Sequence, residues 1–419
     1  MNWLAISGNA LLISFVIYCI AFLIFVLAIT GKTWSNRDAE KHSRKWGSAA
    51  YILSAVGLLS QIIYFFTRWY GGGHFPLSNM FEFMTFLGLA IMAAFLVMYA
   101  IYRTPVLGVF SLPVVVLMIA YAAVFPNEVQ PLIPALQSYW LKIHVSTAAA
   151  GEAFFAVGFA AGLMYLLRTV NFDSKEARDR KEQRGVEFTL FVIFMLVAFI
   201  GSVFTFNAAG YEAKFTKESI VKSNDGTQNK VAQSVTYVLP PIVAPYQANL
   251  EHMDTFLGMD KPLFTAPSWM SGENAGRKLN TVVWTVLGGI LLYGLLRLIL
   301  RKPVGKAISP IMKGMEPEDL DEIGYRSIAI GYPIFTLGAL IFAMIWAHKA
   351  WGRFWGWDPK EVWALIVWLF YAVFLHLRLS RGWQGKRSAW LAVIGFLVVM
   401  FTLVGVNLVI AGLHSYSGV

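Results

Sequence analysis

Residues 346–368 read WAHKAWGRFWGWDPKEVWALIVW and hold six of the chain's fifteen tryptophans: Trp346, Trp351, Trp355, Trp357, Trp363 and Trp368. Tryptophan offers a large rigid apolar face with a single N–H donor. A segment this crowded is therefore either an interfacial belt or a platform for a flat aromatic ligand. Anchoring at a membrane surface takes about one or two aromatics per helix end, so Trp351, Trp355 and Trp357 together favour the platform. The residues that follow, Asp358-Pro359-Lys360-Glu361, parse as a helix start. Asp358 is the N-cap, Pro359 takes the first helical position, and Glu361 closes a capping box. On this reading Asp358 and Glu361 are caps first, and contact with a ligand is a second role.

Three of the seven histidines bear on the same chemistry. His144 stands at the outer entry of one apolar run (SYWLKIHVSTAAAG), His414 at the outer exit of the last (VIAGLHSYSGV), and His376 within a run near its opposite end (FYAVFLHLRLS). Ionisable side chains inside or at the rim of spanning segments are costly and usually functional, the alternative being a hydrogen-bonded packing residue. Two imidazoles at one level flanking an aromatic platform are what an iron porphyrin requires: a neutral nitrogen on each axial face and flat apolar walls. His42, His74, His252 and His348 read as loop or rim residues, with His348 nearest the platform. Cys/His zinc spacing, phosphate-binding Gly-rich loops and Gly-x-Ser-x-Gly elbows are absent, so the chemistry must come from a bound cofactor.

The elements that position these residues are membrane helices. Over 419 residues the mean hydropathy is +0.59, with 57% hydrophobic and 14% charged residues, which excludes an ordinary soluble domain. Runs of the about 20 apolar residues that a bilayer demands lie near 10–30, 48–67, 80–101, 105–125, 141–167, 186–206, 281–300, 326–347, 362–379 and 389–412. The expected fold is an all-α polytopic bundle of ten spans. The N-terminus lacks a basic segment, so the first run reads as a retained span. The net charge of +10 gathers in the loops around Lys32 to Lys45, Arg168 to Arg184, Arg301 to Lys313 and Arg378 to Arg387. Ten spans put all four on one side, and the positive-inside rule makes that side cytoplasmic. Basic charge is thus an orientation signal and no mark of nucleic-acid binding. Cys19, alone and within the first run, excludes an intramolecular dithiol cycle. Segment 207–280, with turn signals at Asn224-Asp225-Gly226 and Pro240-Pro241, is expected outside as a small cap with a strand or two.

WGRFWGWDPKEVWALIVW resembles the WGxxWxWDPKExWA signature, the WWD domain of the heme-handling protein superfamily. Its Asp-Pro-Lys-Glu ending is similar to the CcsA/ResC membrane component of the system II cytochrome c synthase. PLSNMFEF at 76–83, YWLKIHVS at 139–146, LDEIGYRSIAIGYP at 320–333, LHLR at 375–378 and GLHSYSG at 412–418 look like that family's landmarks, in its order. The resemblance implies a protein of the bacterial inner membrane that binds heme b and carries it from the cytoplasmic side to an external, periplasmic site. There it would present heme to apocytochrome c for thioether attachment at Cys-x-x-Cys-His segments. The family's outer axial pair maps to His144 and His414, its membrane-embedded histidine to His376, and its platform to Trp351, Trp355 and Trp357, with Asp358 beside it. A CcsB/ResB-type partner, contributing another membrane histidine and a large external domain, would complete the holocytochrome c synthase (heme lyase), with thiol-reducing proteins as further partners.

Two features depart from the pattern. His348-Lys349 stand where the family commonly has Asn-Glu, and 171–319 looks like an insertion between an N-terminal part (1–170) and a C-terminal heme-handling part (320–419). Three other classes compete. A system I heme-handling or export protein fits the flanking landmarks less well. A heme b electron-transfer subunit would pair histidines inside the bundle, and a solute transporter would show broken helices and repeats.

Overall fold

The computed structural model describes residues 2–31, 38–129, 131–132, 134–222, 228–270 and 274–406. Among them, ten helical segments are long and apolar enough to cross a membrane, as the hydropathy pattern requires. They are α1 (Trp3–Thr30), α2 (Ala39–Gly72), α3 (Met80–Tyr102), α4 (Pro105–Ala122), α5 (Tyr139–Thr169), α6 (Ala177–Ala208), α7 (Ala275–Leu300), α9 (Pro317–Phe335) continuing into α10 (Ala343–Trp351), α11 (Pro359–Arg381) and α12 (Lys386–Met400). A short α8 (Val304–Ile308) precedes α9. Their starts follow capping rules: Asn2, Asp38, Asn79, Ser138 and Asp358 each accept a backbone N–H of the first turn. Two spans locally widen into underwound π-helical turns, Thr336–Phe342 between α9 and α10 and Phe401–Gly405 after α12.

Residues 187–304 form one compact unit, and the flanking segments, 1–186 and 305–419, form another. In the larger unit α5 is central, packing on α3, α4, α9, α10 and α12. Its inner face is built from small residues, and glycines let it approach the α9–α10 span backbone to backbone. A Cβ on Gly338 would lie 2.2 Å from the Ala148 nitrogen, and one on Gly331 would lie 2.8 Å from the Gly151 carbonyl oxygen. Small residues at a helix seam are how spans associate where no hydrophobic effect drives them together. Polar pins replace it elsewhere. Tyr18 of α1 donates to Gln61 Oε1 of α2 (2.8 Å), whose Nε2 donates to the Thr85 carbonyl of α3 (2.9 Å).

On the side of the basic loops, Arg378 of α11 pairs with Asp321 of α9 at 2.5 Å, and Asp321 also accepts the Gly385 N–H of the α11–α12 turn (3.1 Å). Two separate landmarks of the sequence, LHLR and LDEIGYRS, are thus a single ion pair in space.

The smaller unit carries β1 (Ala213–Lys222), β2 (Gln228–Tyr237), β3 (Val243–Ala244), β4 (Ala248–Met253) and β5 (Phe264–Thr265). Strands β2, β1 and β4 make an antiparallel sheet in that order, while β3 and β5 pair in parallel. Ala213, Phe215, Val235 and Tyr237 form its core. This is more sheet than the one or two strands expected, because only the Val235–Val238 stretch alternates cleanly. The sheet is seated on α7 through Asn280, whose Oδ1 accepts the Ile242 N–H at 2.9 Å and whose Nδ2 donates to the Pro240 carbonyl at 3.2 Å.

Candidate functional site

The site begins with Pro333. Proline inside a helix removes a donor and displaces the preceding turn, and three residues later the α9 span widens into a π turn. Within that π turn the Gly338 carbonyl accepts the Ala343 N–H and faces α5, where His144 Nδ1 lies 3.0 Å from the same oxygen. A carbonyl only accepts, so Nδ1 carries the proton and Nε2 is left with the lone pair. This is the tautomer lock characteristic of metal-ligating histidines. The half-buried imidazole stacks on Trp346 (5.7 Å between centroids, 15°).

His144 and Trp346 line a cavity of ≈ 220 Å³ together with Trp355, Phe354, Phe83 and Met344. The loop between α10 and α11 closes one wall. Gly352 ends α10 in the left-handed region (φ 70), and Trp357 is held at φ 57, an unfavourable conformation for a bulky residue. The turn is secured by the capping box: Asp358 Oδ1 accepts the Lys360 N–H (3.1 Å), and Glu361 Oε2 accepts those of Gly356 (2.7 Å) and Asp358 (3.2 Å). The Asp-Pro-Lys-Glu run is thus a helix start, and it delivers Lys360 and Glu361 to the cavity lining. Trp355 stands edge-on to Trp357 (5.9 Å, 84°). The Trp355 Nε1–H is buried with no hydrogen-bond partner among the described residues.

The opposite wall includes Ser78 and Asn79, held in place by a buried pair. Arg68 Nε donates to Glu82 Oε1 at 2.8 Å, and Glu82 Oε2 accepts the Ser78 N–H (2.9 Å) and hydroxyl (2.7 Å). Deeper on α5, Glu152 reaches the same cavity, and its Oε2 is buried with no partner among the described residues.

Of the residues singled out in the sequence, His144 and Trp355 meet at the cavity. Trp351 backs Trp346 edge-on (4.8 Å, 64°), while Trp357 is 71% exposed. Asp358 is buried beneath the turn it caps. His376 faces outward from α11 with Leu369 and Val373, its Nδ1 3.4 Å from the Ser380 hydroxyl. His348 stacks on Phe354 (4.3 Å, 7°) behind the lining, His252 pairs with Asp254 (3.0 Å), and His74 contacts the Phe75 carbonyl (3.1 Å). His414 lies outside the described residues. Trp346, Gly338, Glu152 and Lys360 were missed by sequence reasoning. Lys360 and Trp346 stood inside the singled-out segment, whereas Glu152 had one signal, an acid eight residues beyond His144 in an otherwise apolar run.

Residues 77–219 and 282–414 match the family model described as Cytochrome C assembly protein. The matched segments run through α6 and most of α7, so the gap between them, 220–281, belongs to the sheet-bearing segment. The chain is 33% identical over 389 residues to the cytochrome c biogenesis protein CcsA of Nostoc punctiforme, covering 89% of this chain and 92% of that one. Its identity to the CcsA protein of Trichormus variabilis is 32% over 404 residues (96% and 95%), and to that of Gloeobacter violaceus 30% over 375 residues (88% and 85%). Landmarks, fold and relatives agree: the chain belongs to the cytochrome c assembly protein family, among its CcsA-type members.

Proposed function

We propose that this membrane protein, whose role lies in cytochrome c biogenesis, binds heme b in the His144 cavity and presents it for covalent attachment to apocytochrome c. The observation that carries the reading is the His144 Nδ1 to Gly338 carbonyl contact, which orients the imidazole and puts the proton on Nδ1, so that Nε2 would be the nitrogen to bind iron. The cavity suits a planar, largely apolar cargo with acidic substituents. Trp346 and Trp355 provide flat walls, and Lys360 and the buried Trp355 N–H provide a cation and a donor for carboxylates. His414 would supply the second outer ligand. Vinyl groups of bound heme supply the bond-forming chemistry with cysteine thiols. The chain's own contribution is orientation: a fixed imidazole and rigid walls that would hold the bound group in one pose for attack.

His376 belongs to a different site. It lies sixteen residues along α11 from Lys360, about 24 Å at 1.5 Å per residue, so it cannot ligate an iron held by His144. An imidazole on the outward face of a span is costly unless another chain or a ligand meets it. We therefore assign it to a heme-entry site completed by a CcsB/ResB-type partner, the two chains together forming the heme lyase. The run of basic loops at that end supports a cytoplasmic location for it, with the His144 cavity toward the periplasmic side of the inner membrane.

The test is the optical spectrum of the purified protein. It should show low-spin b-type heme that His144→Ala abolishes and added imidazole partly restores. A colourless preparation from heme-replete cells, or an unchanged spectrum in His144→Ala, would overturn the assignment. For His376→Ala the measured quantity is heme per folded protein, and unchanged loading at normal protein level removes the entry site.

A further inference from the structure

Glu152 is 8% exposed and sits on α5 eight residues inward of His144, with Ala148 between them on the same face; all three line the cavity. Among the described residues its buried Oε2 has no hydrogen-bond partner and no ion pair includes it. A structural acid in a membrane bundle looks different. Glu82, also buried, has Arg68 on one oxygen and Ser78 on the other. A carboxyl in a ligand cavity with no cation paired to it among the described residues responds to whatever charge the ligand brings, because a positive charge nearby favours the carboxylate and its removal favours the acid.

We propose that Glu152 is the proton-binding group of this cavity, taking up a proton when the heme iron is reduced and releasing it when the iron is oxidised. The inference rests on the heme-binding reading above. In the balanced step, an external one-electron donor reduces ferric to ferrous iron, and the Glu152 carboxylate takes one proton from the medium to become the carboxylic acid. The charge of the walled cavity is then unchanged.

The other ionisable groups facing Glu152 are already committed. His144 Nδ1–H is held by Gly338, and its Nε2 is reserved for the iron. Glu361 accepts two backbone N–H groups, and Lys360 stands two residues from the Asp358 carboxylate at the outer end of α11. The Tyr371 hydroxyl, also buried with no partner among the described residues, lies on a ring stacked on Phe155 (3.7 Å, 15°) and is the remaining described group near this level. Among the described residues, those that line the cavity from α3, α9, α10 and the Phe401–Gly405 turn carry no ionisable side chain.

Eight residues of helix separate the two levels by about 12 Å. Across that distance, at an effective dielectric constant of about 20, one unit of iron charge changes the acid's proton affinity about tenfold. For a one-electron couple, tenfold corresponds to about 59 mV. Ferric iron favours the carboxylate and ferrous iron the acid, so the potential falls as pH rises, from an acidic plateau with Glu152 neutral in both states to an alkaline plateau with it ionised in both.

The experiment is a spectroelectrochemical titration of the heme-loaded full chain across pH, with a mediated electrode as the electron source. The parent's potential should fall by about 59 mV between plateaus. Glu152→Gln, a neutral isostere, should give a flat profile at the acidic plateau, and Glu152→Asp should restore a pH-dependent one. A flat parent profile, or a Glu152→Gln profile that keeps the parent's slope, overturns the proposal. The parent also provides a check that needs no variant: reduction should produce the infrared carbonyl stretch of a neutral carboxylic acid, and its absence overturns the proposal. A preparation without heme, or one whose spectrum survives His144→Ala, brings down the heme reading and this inference with it. Bound heme with a slope indifferent to Glu152 brings down only the inference.

Discussion

Gly338→Ala separates the geometry of the π turn from the mere presence of a histidine. The added methyl would lie 2.2 Å from the Ala148 nitrogen and 2.6 Å from the Thr147 carbonyl carbon. Both are backbone atoms of a central helix, so no side chain can swing away and the π turn must retreat from α5 by more than 1 Å or so. Overpacking of this kind costs about 1–3 kcal/mol, and the lost His144 hydrogen bond adds about 0.5–1.5 kcal/mol. Removing the partner that orients a metal-ligating histidine lowers affinity about 10–100-fold. The variant should therefore melt at a lower temperature and hold less heme per folded protein, with a spectrum shifted away from bis-imidazole even though His144 is intact. Ala148→Gly in the same background should not rescue it, because the collision is with the nitrogen and not with the Ala148 side chain. Gly201→Ala, where nothing lies within 4 Å, is the matched control and should be neutral or stabilising by about 1 kcal/mol. Thermal unfolding monitored by size exclusion, together with the heme spectrum, reads both effects. Gly338→Ala with the parent's melting temperature and spectrum would show that the seam and the carbonyl do not hold His144.

Three further outcomes are expected. Glu82→Ala leaves Arg68 buried without its partner and should destabilise the protein by about 3–5 kcal/mol, while replacing both by apolar residues of similar volume should be far milder; thermal unfolding of the three variants decides. In the sheet unit, the Glu212 N–H and then His252 hold the Asp254 carboxyl below the usual carboxylate range. Its contribution is therefore present above that range and lost as pH falls through the depressed value, so Asp254→Asn should speed amide exchange in β1 and β4 at neutral pH and make no difference in acid. Cys19→Ser should leave cytochrome c maturation intact, since one membrane-embedded thiol has no partner with which to cycle, and a loss of holocytochrome would contradict this.

The spans were legible because bilayer length and apolarity are composition-level demands that hydropathy reads directly. The Asp-Pro-Lys-Glu helix start was legible for a similar reason, since a capping box is local and its residues are adjacent in the chain. What could not be read was long-range register. Nothing local to Gly338 announces that its carbonyl meets an imidazole 194 residues away. The indole of Trp346 looks like any of its five neighbours until α10 rotates it onto His144. Glu152 passed as one acid in an apolar run, because its significance lies in what is not around it. The sheet was under-read for another reason: its register depends on pairing β1 with both β2 and β4 across a bulge at Lys214/Phe215, which no single strand's alternation displays.

The irregular helices explain why the cavity sits where it does. A regular span bonds every carbonyl to an N–H within its own turns and offers a ligand site only side chains. In the α9–α10 span, Pro333 withdraws a donor, the next turns widen, and the Gly338 carbonyl can serve both Ala343 and His144. That carbonyl reaches α5 only because residue 338 has no side chain. The same absence lets the two backbones close to a distance that fixes the imidazole against Trp346. The second π turn, Phe401–Gly405, contributes Thr402 and Leu403 to the same lining, and Phe401 packs on Trp363 of α11 (4.5 Å). Irregular turns in two different spans thus border one space, the placement at functional sites for which π turns are known. Rewinding either turn into α-helix with all its residues kept would restore ordinary helical bonding and rotate everything beyond it by about 100°. In the first span that rotation would carry Trp346 off His144. The irregularity of these turns is therefore tied to the cavity.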